Sequence, residues 1–158
     1  MLSRRSFSRA LLLAPLALAL APALPASAQG AEKLFFIQRS KNVDEIHYDA
    51  RVGADGKLDA KHPVEGYWLS KTEKGWERSD IKLFQRIAYG FDVEPAPDGT
   101  HVMTLKAFPE RSLRLLTVGG RWRALTKIGG KRAYLTRLYV ATDESGVFPK
   151  VLYVDLFG

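Results

Sequence analysis

Apolar and polar residues alternate along most of this chain in the pattern typical of short β-strands. In residues 45–52 the apolar positions are Ile46, Tyr48, Ala50 and Val52, and the polar ones are His47, Asp49 and Arg51. A period of two places the apolar set on a core-facing side and the polar set on the opposite side. Similar runs predict about eight or nine strands, over residues 34–40, 45–52, 66–71, 91–94, 101–108, 112–118, 122–128, 133–142 and 151–157.

One segment departs from this alternation. Between residues 79 and 89, Ile81, Phe84 and Ala88 recur at the spacing of helical turns, and Gly90 follows directly. Glycine commonly ends a helix because it adopts the required backbone conformation without steric cost. We predict one α-helix over residues 79–89.

Glycine-containing dipeptides join several of the predicted strands. Asp98-Gly99, Gly119-Gly120 and Gly129-Gly130 each stand between two strand-like runs, where glycine suits the tight turns of hairpins. The last five strands are therefore predicted to form an antiparallel meander. We predict an all-β fold that closes into a barrel or a barrel-like sandwich, because either arrangement hides the strand edges.

The first 28 residues have the organisation of an export signal. Arg4-Arg5 begins the segment, an apolar run follows over residues 11–24, and Ala26-Ser27-Ala28 suits a signal peptidase. The paired arginines resemble a twin-arginine signal. We expect cleavage after Ala28, a single domain over residues 29–158, a periplasmic or secreted location, and a mature protein that does not span a membrane.

Composition limits the function classes. The chain has no cysteine, which excludes disulfides, thiolate metal sites and a cysteine nucleophile. Removal of residues 1–28 takes away three arginines and no acidic residue, and so lowers the net charge from +7 to +4. The remaining bases are scattered rather than clustered on one element, so no nucleic-acid partner is expected.

The first predicted hairpin holds the best candidates for a binding site. Arg39 ends a strand that places at least one polar side chain inward, and a buried polar group requires a partner. That partner is either a bound anion or polar headgroup, or an acid of the protein such as Asp155. The predicted ligand-binding residues of this hairpin are Arg39, Ser40, Asn42 and Tyr48. Later segments add Trp68, Arg86 and Tyr89 to the predicted site.

Catalytic and metal sites receive little support from the sequence. His47 and Asp49 share a strand face and form a sketch of a triad with Ser40, but no nucleophile elbow accompanies them. A solvated strand face explains the same two residues. The three histidines have no metal-ligand spacing. We therefore predict no catalytic residues, no metal and no cofactor.

Several motifs in the predicted domain resemble those of a known family. They are Phe35-Phe36-Ile37-Gln38-Arg39-Ser40-Lys41-Asn42, residues 43–51, Tyr67-Trp68, Ala88-Tyr89-Gly90 and Tyr153-Val154-Asp155-Leu156. Together they resemble an exported bacterial family catalogued as domain of unknown function 4833. The resemblance spans nearly the whole domain, and it implies no activity or cofactor because the family has none established.

The architecture favours a binding role. A small closed barrel can enclose one ligand, so we predict a non-enzymatic protein that binds a small amphipathic or anionic ligand in the cell envelope. One alternative is a structural module without a cavity that binds an envelope protein partner. Another alternative is an exported hydrolase.

Overall fold

A computed structural model describes residues 30–146 and 150–158; the predicted export signal lies outside these residues. Eleven strands and one short helical region occur among the described residues. Numbered along the chain, they are β1 (Gly30–Arg39), β2 (Glu45–Val52), β3 (Val64–Thr72), β4 (Gly75–Asp80), a 3-10 turn (Leu83–Gln85), α1 (Arg86–Tyr89), β5 (Phe91–Pro95), β6 (His101–Leu105), β7 (Ser112–Val118), β8 (Arg121–Ile128), β9 (Lys131–Tyr134), β10 (Arg137–Asp143) and β11 (Lys150–Phe157). No helix in this part of the chain is long and apolar enough to cross a bilayer.

The strands form two sheets that pack as a sandwich. Sheet A has the order β11-β10-β1-β2-β3-β4, and sheet B is a meander in the order β5-β6-β7-β8-β9. All neighbouring strands are antiparallel except β1 and β10, which are parallel. The predicted all-β class and the sandwich alternative are confirmed. The barrel alternative is wrong, because the two sheets do not close on each other.

The chain changes sheets at residues 135 and 136. The Leu135 amide donates to the Ala124 carbonyl of β8 at 2.7 Å, whereas the Thr136 amide donates to the Phe157 carbonyl of β11 at 2.8 Å. The single strand predicted over 133–142 is therefore two strands in different sheets. The predicted five-strand meander is wrong at this point, because β10 pairs with β1 and β11.

The core lies between the two sheets. All four apolar positions predicted on β2 are buried, and Tyr48 is fully enclosed together with Phe35. Met103 and Leu115 of sheet B meet them from the opposite side with no exposed surface. The alternation read from the sequence thus located the inner face of β2 correctly.

The helical region is shorter than predicted. Ser79 and Asp80 extend β4 through pairing with Trp68 and Tyr67, so the predicted helix start at residue 79 is wrong. The first helical residue is Leu83, and the region ends at Tyr89. Strand pairing with β3 therefore overrides the helical spacing of the first residues.

We predict that Leu135→Ala lowers the free energy of unfolding by about 2–5 kcal/mol, the usual cost of removing a buried leucine side chain. Leu135 is only 1% exposed at the crossing between the sheets. Chemical denaturation measures the change. Leu152→Ala on β11 is the control: Leu152 is 63% exposed, so its loss should change stability by less than about 0.5 kcal/mol. Equal effects of the two substitutions would contradict this packing.

Candidate functional site

Arg39 lies at one end of the sandwich, on the inner face of sheet A. It follows Phe35 and Ile37 at every second position of β1, and both of these side chains are buried. The centre of its guanidinium lies 4.7 Å from the centroid of the Trp68 ring and 6.0 Å from that of Tyr89. Trp68 and Tyr89 meet edge to face at 5.2 Å. The cation is thus held among aromatic rings.

The hydrogen bonds of Arg39 are made to neutral groups. Nη1 donates to the Tyr89 hydroxyl at 3.3 Å, and Nη2 donates to Oδ1 of Asn42 at 3.0 Å. Nε is buried and has no acceptor among the described residues. In the same part of the chain no carboxylate forms an ion pair with Arg39, so the alternative of an Asp155 partner is wrong.

An open cleft of about 400 Å³ surrounds this arginine. We call it the Arg39 cleft; the residues that line it are Arg39, Lys41, Asp44, Trp68, Ser70, Ser79, Asp80, Lys82, Gln85 and Tyr89. Trp68 is only 7% exposed and its indole forms part of the floor, while the lysines stand at the rim.

Hydrogen bonds hold the helical segment, residues 82–89, against one end of the sandwich. The Trp68 indole N–H donates to Oε1 of Gln85 at 3.2 Å. The buried Tyr48 hydroxyl donates to the Tyr89 carbonyl at 2.9 Å, and burial raises the pKa of Tyr48 far above its ordinary value. Tyr48 therefore remains a neutral donor that positions Tyr89 from beneath.

The structure brings together four of the seven predicted ligand-binding residues: Arg39, Asn42, Trp68 and Tyr89. Tyr48 supports this group from the core without lining the cleft. The two others lie elsewhere.

Ser40 points away from the Arg39 cleft. Its Oγ lies 3.3 Å from Oγ1 of Thr142 and accepts a hydrogen bond from the Thr142 amide at 3.0 Å. Arg86 instead lines a second cleft, the Arg86 cleft, of about 570 Å³. Strand alternation explains Ser40, because it follows Arg39 directly and so projects to the other side.

Sequence reasoning missed most of the polar rim. Ser70 lies two residues after Trp68 on β3 and so shares its face of the strand. The period of two could therefore have predicted Ser70 as a cleft residue. Asp44 lies in the turn between β1 and β2, where its carboxylate accepts from Asn42 at 3.1 Å and from the Lys71 amide at 3.0 Å. Lys82 and Gln85 reach the cleft only because the helical segment packs over it.

The proposed triad is not assembled. Nε2 of His47 lies 2.7 Å from Oε2 of Glu45, whereas Asp49 accepts a hydrogen bond from the Tyr67 hydroxyl at 2.8 Å. Neither contacts Ser40. Both His47 and Asp49 are buried, so the expected solvated strand face is also wrong at these two positions.

A row of stacked rings explains that burial. Phe36 and His47 stack with 5.3 Å between ring centroids, and His47 and Tyr67 stack at 5.6 Å. The Arg78 guanidinium covers the far side of Tyr67 at 3.6 Å. Arg78 also pairs with the Glu65 carboxylate at 2.6 Å, so this second stacked arginine has an acidic partner.

We predict that Tyr67 ionises near pH 12, because burial and the hydrogen bond to Asp49 raise the pKa of Tyr67 from 10.0 to about 12. Its contribution to stability is complete below pH 10 and is lost as the pH rises towards 12. The difference in tyrosinate absorbance between the wild type and Tyr67→Phe isolates this group. A midpoint near pH 10 would contradict the prediction, and Asp49→Asn should move the midpoint downwards.

Comparison with known proteins gives one match. A family model described as a domain of unknown function, DUF4833, matches residues 35–158. No curated protein and no solved structure matched the chain. The family match begins at Phe35, the first residue of the motif over residues 35–42, and includes every residue that lines the Arg39 cleft. It covers well over half of the sequence, so the chain belongs to the DUF4833 family.

Proposed function

We propose that this protein is a non-enzymatic binding protein whose Arg39 cleft holds the acidic group of a small amphipathic anion. The observation that carries the proposal is a half-buried guanidinium, stacked on Trp68, that has no carboxylate of the described residues within 4 Å. Glu144 interacts with it electrostatically only from a longer distance. Removing a charge from water is costly unless an opposite charge or strong hydrogen bonds compensate. An anionic ligand provides both.

The hydrogen-bonding capacity of Arg39 supports an oxygen-rich ligand group. Its two amino groups contact neutral oxygens, and Nε–H has no acceptor among the described residues. Guanidinium groups bind carboxylates and phosphates through two parallel hydrogen bonds, which are stronger than bonds to neutral acceptors. A carboxylate or phosphate therefore suits Arg39 better than the hydroxyl of Tyr89 does.

Arg78 provides an internal comparison. Both arginines lie against an aromatic ring of β3, Arg39 on Trp68 and Arg78 on Tyr67. Only Arg78 has a carboxylate partner within 4 Å, Glu65 at 2.6 Å. Stacking alone thus does not require a ligand; Arg39 differs because no carboxylate of the described residues lies within 4 Å of it.

The surroundings favour an amphipathic ligand. Trp68 and Tyr89 contribute apolar ring surface, and the rim carries Lys41 and Lys82 together with Asp44 and Asp80. A volume of about 400 Å³ lies within the range of roughly 300–1,000 Å³ typical of small-molecule sites. The twin-arginine-like N-terminal sequence supports a periplasmic or secreted setting, where such a ligand would come from envelope material.

The hydrolase alternative lacks a comparable observation. His47, Asp49 and Ser40 each make a separate hydrogen bond to a residue outside the sketched triad.

We predict that Arg39→Leu removes ligand retention and leaves the fold intact. The cation–π stack contributes about 2 kcal/mol, which is small beside the roughly 5–15 kcal/mol by which a typical domain is stable. Native mass spectrometry of protein purified from its host should show a discrete adduct that disappears on denaturation. The adduct should persist in Arg78→Leu, be weakened in Arg39→Lys and be absent from Arg39→Leu. Calorimetric titration with octyl phosphate should follow the same order.

Three results would contradict the proposal. The first is a wild type that carries no adduct and does not bind octyl phosphate. The second is equal binding by Arg39→Leu and the wild type. The third is the loss of a cooperative thermal transition in Arg39→Leu, which would make Arg39 a structural residue.

A further inference from the structure

Three large apolar side chains of the helical segment face solvent. Leu83 is 82% exposed, Phe84 72% and Ile87 80%. They come from two successive helical turns, and Ala88 beside them is also exposed. Of the apolar residues whose spacing predicted the helix, Ile81 is buried in the core, whereas Phe84 is exposed.

This exposure does not arise from a detached segment. Gln85 accepts a hydrogen bond from the Trp68 indole N–H, and the Tyr89 carbonyl accepts one from the Tyr48 hydroxyl. The Tyr89 hydroxyl accepts a further hydrogen bond from Nη1 of Arg39. Gln85 and Tyr89 therefore face the protein, while Leu83, Phe84 and Ile87 project outwards. A group of neighbouring apolar side chains that stays exposed on a held segment is a candidate interaction site.

Positive charge flanks the projecting side chains. The Arg39 cleft lies on one side of the segment, and the Arg86 cleft lies on the other, with Tyr89 lining both. Four acidic residues line these clefts: Asp44, Glu65, Asp80 and Asp92. Seven basic residues line them: Arg39, Lys41, Arg51, Lys61, Lys82, Arg86 and Lys106. Lys41 and Lys106 are paired with Glu144 and Asp92, whereas Lys82 and Arg86 form no ion pair among the described residues. These two bases supply positive charge beside the projecting side chains.

We propose that the helical segment docks the protein onto the surface of an anionic lipid bilayer. Leu83, Phe84 and Ile87 would enter the boundary between headgroups and acyl chains, as the apolar faces of interfacial helices do. Lys82 and Arg86 stand within the same segment, where their long side chains can reach lipid phosphates. The apolar and basic groups therefore match the two layers of an anionic membrane surface.

The shape of the surface favours a membrane over a protein partner. A stable protein interface buries roughly 800 Å² on each side, around a tightly packed apolar centre. Three side chains that project from a seven-residue helical region offer much less apolar area. A bilayer accepts such a projection because lipid rearranges around it.

Vesicle co-sedimentation of protein purified from its host tests this proposal. The wild type should bind phosphatidylglycerol-containing vesicles, should bind pure phosphatidylcholine at least about tenfold more weakly, and should be released by added salt. The triple substitution Leu83→Ser, Phe84→Ser and Ile87→Ser should lower binding about tenfold or more. A retained thermal transition should accompany the loss, because all three side chains are exposed.

A matched control removes apolar surface elsewhere. Val151→Ser, Leu152→Ser and Tyr153→Ser alter three side chains of β11 that are 53–63% exposed, and they should leave vesicle binding unchanged. The Leu83, Phe84 and Ile87 triple variant should still bind octyl phosphate, because none of the three side chains lines the Arg39 cleft, and this separates the proposal from the ligand site. A wild type that does not sediment with anionic vesicles would overturn membrane docking in favour of a protein partner. Equal losses in the two triple variants would overturn the assignment to the helical segment.

Discussion

The guanidinium of Arg39 organises one end of the sandwich. It lies on the Trp68 ring, hydrogen-bonds to the Tyr89 hydroxyl and reaches Asn42 in the turn after β1. These contacts connect the first hairpin, the third strand and the helical segment. A charge that is held this far inside needs compensation, and neutral oxygens provide only part of it. The proposed anion would supply the rest of this compensation.

The helical segment connects the two proposals for this molecule. Its inward side closes over Trp68 through Gln85 and Tyr89, and its outward side presents Leu83, Phe84 and Ile87. A membrane-docked molecule would thus hold the Arg39 cleft next to lipid headgroups, where amphipathic anions are concentrated. The ligand proposal depends on Arg39, whereas the membrane proposal depends on Leu83, Phe84 and Ile87, so either can fail without the other.

Local patterns predicted the strands well and their assembly less well. The alternation in β2 identified the inner-facing residues, among them Tyr48, because strand faces follow directly from a period of two. The crossing at Leu135 and Thr136 had no such signal, since both residues continue an apparent strand. The crossing is visible only in the structure, where the Leu135 amide bonds to β8 of sheet B and the Thr136 amide bonds to β11 of sheet A. The helix start failed for a related reason, as pairing with β3 extends β4 through Asp80.

The candidate site was predictable in part. Arg39, Asn42, Trp68 and Tyr89 were selected from the sequence and meet in one cluster. Strand alternation excludes Ser40 from that cluster. The positions of Lys82 and Gln85, and the direction of Arg86, depend on how the helical segment packs. Long-range packing of this kind leaves no local pattern in the sequence.

The most direct test of the central claim is the side-chain N–H resonance of Arg39 Nε, assigned by its absence from Arg39→Lys. We expect this resonance to shift and saturate during titration with octyl phosphate. The Nε–H resonance of Arg78 should not shift, because the Arg78 guanidinium is already paired with Glu65 through Nη2. No shift at Arg39, or equal unsaturated shifts at both arginines, would show that Arg39 does not bind anions specifically and would contradict the account.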